Sequence, residues 1–318
     1  MSLIVALLLA LQPVETDPAV RKGVAFLRTK AEDLGESRDG VLWTLVHAQV
    51  PETDPVLQRL LKDLLSRPLE ATRSVALEAM ILQDLEPEKF RVRIAQCAQF
   101  LIDNQGADGQ WDAGRAIPMP VMAFPEPKLP RGGPRAFGAP APRPNLPKVL
   151  LKKLQAGPEK GNPADSRWAL WGLLAAHRAG MIPPVEVAAK AEAAWRNADA
   201  DAAEQVSCLC IALSLQGREY KKDRDVLKAI ERLADPKRPN DPVSLSVTKV
   251  ALLHADTDRL GAEWWPDRVK GLLVPRSIST IRHAPVILTA RPPRRLPVPA
   301  PRPARSRWSR GPTLFECA

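Results

Sequence analysis

Apolar residues recur along this chain at helical spacing, in short blocks of two alternating kinds. In one kind a single face is apolar: Val20, Val24 and Leu27, then Leu57, Leu60, Leu61 and Leu64, and again in the segments 90–102, 185–195, 223–233 and 260–272. In the other kind nearly the whole circumference is apolar: 41–50, 74–82, 166–179, 206–215 and 243–253. A helix apolar on one side lies at a surface, whereas one apolar all round must be enclosed. The alternation therefore predicts roughly a dozen helices paired as hairpins, none of which can bury its apolar face alone. Asp17-Pro18 and Asp54-Pro55 supply start signals, a capping carboxylate followed by proline at the first helical position.

One segment breaks this rhythm. Residues 112–163 hold 12 Pro and 6 Gly, which removes backbone donors and denies regular helix. An extended excursion is expected there, either a lid over a cavity or a disordered insertion, with a short helix at 148–155. Composition agrees with a helical fold: 45% of residues are apolar, Trp occurs eight times against a single Tyr, and β-branched runs are few. The fold class expected is all-α.

The net charge of +10 suggests nucleic acid or an anionic surface until its distribution is followed. Between Arg268 and Phe315 there are 11 Lys or Arg and no acid, so the remainder is close to neutral with 35 bases against 36 acids. That Arg/Pro-rich tail, 274–318, admits three readings: an out-of-frame translation, a disordered end without function, or a polyanion-binding arm. Nucleic acid is not the expected partner of the neutral remainder. Cys97, Cys208, Cys210 and Cys317 form no CxxC pair and no spacing suited to zinc, and Cys97 falls on an apolar helical face as a buried thiol would.

At the N-terminus, Leu3 to Leu11 form an uninterrupted apolar run after Met1-Ser2, of signal-peptide length and too short to span a bilayer. Ala10 with Leu8 offers a cleavage site, and Gln12-Pro13 would begin the mature chain. Export to a periplasmic or extracellular location is expected; a buried N-terminal helix is the alternative. No later segment has the length of a transmembrane helix.

The stretch 100–111, Phe-Leu-Ile-Asp-Asn-Gln-Gly-Ala-Asp-Gly-Gln-Trp, closes one of the amphipathic helices. It resembles the QW motif of the squalene cyclase and protein prenyltransferase superfamily, with Phe100, Gln105, Gly109 and Trp111 in the motif positions. Gln105 near a helix end can bond orphan backbone groups, Gly109 can supply a left-handed turn, and Trp111 can cover it. Segments 191–203, with Trp195, and 263–272, with Trp264 and Trp265, look like eroded copies. The layout is similar to the exported squalene-cyclase-like repeat proteins of planctomycete-type bacteria. The resemblance implies an α/α toroid, closed or incomplete, of terpenoid-cyclase type.

Its catalytic groups do not follow. The nearest string to the cyclase DxDD acid is Asp199-Ala200-Asp201-Ala202, which lacks the last Asp and leaves Asp199 and Asp201 as weak candidates. His47, His177, His254 and His283 stand singly, without the Asp and Cys partners of a prenyltransferase zinc site, so neither a metal nor a cofactor is expected. Trp43, Trp168 and Trp171 are candidate cavity-lining residues, and Glu70, Glu78 and Asp165 stand near the ends of inner helices. The expected plan is a signal peptide at 1–12, a first repeat half at 13–111, the insertion at 112–163, a second half at 164–273 and the tail. The expected role is a non-catalytic exported repeat protein that binds a hydrophobic ligand or a protein partner. The alternative is a cyclase- or prenyltransferase-class enzyme acting on an isoprenoid.

Overall fold

Helix dominates the computed structural model, which describes residues 18–31, 38–118, 120, 146–233 and positions 248 and 251. Among the described residues the helices are α1 Pro18–Lys30, α2 Arg38–His47, α3 Pro55–Ser66, α4 Thr72–Leu85, α5 Arg91–Asp103, α6 Pro163–Arg178, α7 Val185–Asn197, α8 Ala202–Leu215 and α9 Arg224–Leu233. Among the described residues the fold is all-α apart from two residue pairs, β1 Val149–Leu150 and β2 Met181–Ile182, that run parallel. Local chemistry accounts for the starts. The Asp54 carboxylate accepts from the Val56 and Leu57 amides at 3.0 and 3.1 Å, with Pro55 opening α3. Asn162 caps α6 by accepting from the Asp165 amide at 2.9 Å, with Pro163 opening that helix.

The two kinds of helix occupy two layers. Helices α2, α4, α6 and α8 touch one another in succession, and each also packs against a one-faced neighbour: α2 on α3, α4 on α5, α6 on α5, and α8 on α7 and α9. The one-faced helices turn a narrow stripe inward, Leu57, Leu60 and Leu64 on α3 and Val226, Ala229, Ile230 and Leu233 on α9. Helix α8 is buried from Val206 through Leu213, because α6, α7, α9 and Ala251 surround it. The main core joins α4 through α9, with Phe100, Trp111, Trp171 and Trp195 as its bulkiest members. A second core joins α1, α2 and α3.

The closest approach lies between α4 and α6. A Cβ on Gly172 would stand 2.8 Å from the Ala76 Cα and 2.9 Å from its Cβ, so glycine is what lets these backbones meet.

The segment expected to carry a short helix at 148–155 does not form one. Val149 and Leu150 are instead paired with Met181 and Ile182, where the Val149 amide donates to Gly180 O at 2.8 Å and the Leu151 amide to Ile182 O at 2.9 Å. Pro147 precedes this stretch and Gly157-Pro158 follows it, leaving too little chain for a nucleated helix, and the strand finds backbone partners at once. Positions 119 and 121–145 of the insertion lie outside the described residues. So do the leader at 1–12, the segment 260–272 with Trp264 and Trp265, and the tail 274–318; of the apolar segment 243–253, Thr248 and Ala251 are described, both helical.

Replacing Gly172 by Val wedges α4 from α6 and is expected to lower unfolding stability by about 2–3 kcal/mol. Replacing Gly23, which has open space around it on α1, by Ala is expected to change stability by less than about 1 kcal/mol and in the favourable direction. Urea unfolding of the two variants checks the pair.

Candidate functional site

The turn that follows α5 is built almost entirely from hydrogen bonds that reach other elements. Trp111 is fully buried, its indole N–H donates to Leu101 O at 2.6 Å, its amide donates to Ser166 Oγ at 2.9 Å, and its carbonyl accepts from the Asn162 amide at 2.7 Å. The carboxamide of Gln105 donates to Gly109 O at 3.1 Å and to Val187 O in the first turn of α7 at 2.8 Å. Gly109 has φ of +84°, and a side chain there would collide with the Lys190 carbonyl of α7. Phe100 is buried beside them. All the residues that carry the QW resemblance thus meet in one place, where the end of α5 abuts the start of α7.

The returning chain straps this turn. Asp103 accepts from the Leu154 and Gln155 amides at 2.6 and 3.1 Å, and Gln99 donates to Lys152 O at 2.8 Å. The Lys153 ammonium caps the end of α5 by donating to Ile102 O at 2.9 Å and Gln105 O at 2.7 Å. Asn104 and Arg115 exchange bonds at 3.1 and 3.3 Å, and the Thr72 amide donates to Ala113 O at 2.8 Å. Both ends of the proline-rich segment are therefore anchored on the turn.

Elsewhere arginine side chains tie neighbouring elements together. Between α7 and α9, Arg196 bonds Asp223 at 2.6 Å and Glu192 at 2.7 Å and also meets Asp225, while Arg218 reaches Glu192 at 2.5 Å. Burial pushes Glu192 upward, but bonds from Gln216, Arg196 and Arg218 outweigh it and hold the carboxyl below its ordinary value. The bond from Arg196 likewise lowers Asp223, and its reciprocal effect raises Arg196. Arg93 of α5 donates to Arg67 O at the end of α3 at 2.7 Å and pairs with Glu78 of α4 at 2.5 Å, while Arg67 pairs with the buried Asp39 of α2. Burial raises Glu78 even beside Arg93. Sequence reading passed over these joints, although Glu192 and Arg196 stand at the i, i+4 spacing of a helical ion pair.

The other candidate residues do not converge. Trp168 and Trp171 pack edge to face on α6 with centroids 5.2 Å apart, below the Arg73 and Arg167 guanidiniums, and the Trp171 indole donates to Ser207 at 3.0 Å. Trp43 stands apart in the second core, edge to face with His47 at 4.9 Å. The three tryptophans therefore do not line one cavity among the described residues. Asp199 and Asp201 are both exposed, and Asp201 accepts from the Ala203 amide at 2.8 Å as the cap of α8. Both are open to solvent and Asp201 is engaged at the cap of α8, whereas a proton donor to an alkene is buried. Glu78 is committed to Arg93, Asp165 accepts from the Asn162 carboxamide at 2.7 Å, and Glu70 is exposed.

Cys97, Cys208 and Cys210 are free and buried, and burial raises all three thiols, Cys210 to about 12. Among the described residues no group of three or more His, Cys, Asp or Glu side chains is placed to hold a metal ion, and no helix is long and apolar enough to cross a membrane. His254 and His283 lie outside the described residues.

Two clefts open beside these joints. One of about 590 Å³ lies at the α7–α9 ion pairs, lined by Arg196, Gln205, Asp225, Lys228, Glu231 and Arg232. The other, of about 350 Å³, lies beside the strapped turn, between Leu151–Lys153 and the start of α7. Burial of its ammonium and the nearby charge of Lys190 bring Lys153 down to about 8, against the opposing pull of Asp103. Compared with models of protein families, with curated proteins and with solved structures, the chain matches none.

Three outcomes follow from this geometry. Gln105→Leu removes two buried hydrogen bonds and is expected to lower unfolding stability by about 1–3 kcal/mol, read by urea titration. Glu192 and Asp223 have folded-state values below their unfolded ones, so each stabilises above roughly pH 4 and loses that contribution as pH falls through its depressed value. Hydrogen exchange at pH 3 is therefore expected to show α9 losing protection before α5. A ¹³Cε titration is expected to show one lysine with a midpoint near 8, absent in Lys153→Gln.

Proposed function

We propose that the chain is a non-catalytic repeat protein of α/α-toroid type whose enclosed helices α2, α4, α6 and α8 form a scaffold that binds a hydrophobic ligand. The observation that carries this reading is the order of contacts, in which those four helices touch in succession and each is backed by a one-faced helix. A helical-hairpin series of that kind offers an extended inner surface as its binding feature. Trp168 and Trp171 supply an aromatic platform on that series, held by Ser207 of α8 on one side and capped by Arg73 of α4 on the other. Trp168 is only partly buried, which leaves it accessible to a ligand.

The QW residues favour a structural assignment. Each polar group of Gln105 and Trp111 that is described above bonds backbone or Ser166, and none is directed at a reacting atom. Export through the apolar leader is part of the proposal. Expression in a secreting bacterium, followed by N-terminal sequencing, is expected to give a mature chain that lacks residues 1–10.

The functional reading is tested by incubating the purified full chain with squalene and with farnesyl diphosphate. Extracts analysed by gas chromatography and mass spectrometry are expected to contain no cyclised or transferred product. Farnesol is expected to quench tryptophan fluorescence saturably, with affinity lowered about tenfold in Trp168→Ala, the scale of one aromatic contact. Formation of a product would establish the enzyme alternative, and quenching unaffected by Trp168→Ala would remove the inner-helix platform.

A further inference from the structure

The smaller cleft has a charge balance and a wall composition that its structural role does not require. Its lining combines Lys152, Lys153 and Lys190 with a single acid, Glu186, and adds Leu151, Pro184 and Val187. Lys153 is fixed in place by Ile102 O and Gln105 O, which use two of the three ammonium donors and leave the third without a partner among the described residues. Lys190 and Glu186 stand at i, i+4 spacing on α7, yet among the described residues neither they nor Lys152 form an ion pair within 4.0 Å. Three ammoniums thus line one concavity together with Gln105.

Part of the wall is apolar, made by Leu151, Pro184 and Val187. Leu150, Leu154 and Val185, next to these lining residues in sequence, are 78%, 57% and 58% exposed. A volume of about 350 Å³ suits a small molecule and not a macromolecular segment.

We propose that the cleft between residues 151–153 and the first turns of α7 binds a small amphiphilic anion, a phosphate or carboxylate head carried on a hydrocarbon body. Lys190 and Lys152 receive the head from either side, Lys153 donates its remaining hydrogen to it, and Leu151, Pro184 and Val187 take the first carbons of the body. The site uses different elements from the Trp168–Trp171 platform, so it stands or falls independently of the inner-helix reading.

Calorimetric titration of the full chain with octyl phosphate, below the concentration at which it forms micelles, tests the assignment. One molecule is expected to bind per chain, and Lys190→Gln and Lys152→Gln are each expected to weaken binding about fivefold or more, as loss of a charge-assisted bond does. Lys152 is exposed on the strap, so its variant keeps the fold if Lys190→Gln does not. Lys228→Gln, in the larger cleft, is expected to bind as the parent protein does. Unchanged affinity in both cleft variants would overturn the site. Inorganic phosphate binding as tightly as octyl phosphate would overturn the role of the apolar wall. Binding to vesicles of phosphatidylglycerol with none to monomeric octyl phosphate would overturn the cleft in favour of surface adsorption.

Discussion

A one-faced helix in a hairpin series buries its stripe against the enclosed layer, but its ends must also be tied to the neighbouring hairpin or the series has no fixed pitch. The bonds from Gln105 to Gly109 O and Val187 O do this between α5 and α7. They are sheltered by Trp111, whose indole closes the carbonyl of Leu101 while its backbone pairs with Asn162 at the head of α6. One turn therefore fixes the end of α5 against the starts of α6 and α7. The proline-rich return depends on the same turn, since Asp103, Lys153 and Arg115 are the groups that hold it.

The flanking joints answer the same geometric demand with charges. Arg196 gathers Glu192, Asp223 and Asp225, and Arg67 and Arg93 gather Asp39 and Glu78. The amide and indole donors of Gln105 and Trp111 do not titrate, whereas Glu192 and Asp223, held low by their arginine partners, lose their stabilising contribution in acid. The bonds of Gln105 and Trp111 are thus expected to persist in acid while the pairs between α7 and α9 weaken. The cleft lined by Lys152, Lys153 and Lys190 borders this joint at Gln105.

Much of the layered plan was legible because periodicity reports burial directly: Leu57, Leu60 and Leu64 fall on one side of α3, and Val206 to Leu213 leave α8 no polar side to show solvent. The turn at Gln105 and Trp111 was legible because glycine and tryptophan at that spacing have few other uses. The strap was not. Residues 146–162 have no period, and their order comes from bonds to Asp103, Gln105 and Gly180 that are distant in sequence. The helix expected at 148–155 failed for that reason. Asp199 and Asp201 were read from a string match, while their environment, an exposed cap, depends on where α8 begins. The basic cleft was illegible because Lys152-Lys153 and Lys190 meet only after the strap folds back on α7.

The functional reading rests on the turn after α5 being a joint and not a remnant of chemistry. Native-state hydrogen exchange of Gln105→Leu measures this most directly, helix by helix. The account predicts that the amides of α5 and α7 lose protection together, by similar free energies, because one carboxamide ties both. Loss of protection confined to α5, with α7 as protected as in the parent chain, would contradict it.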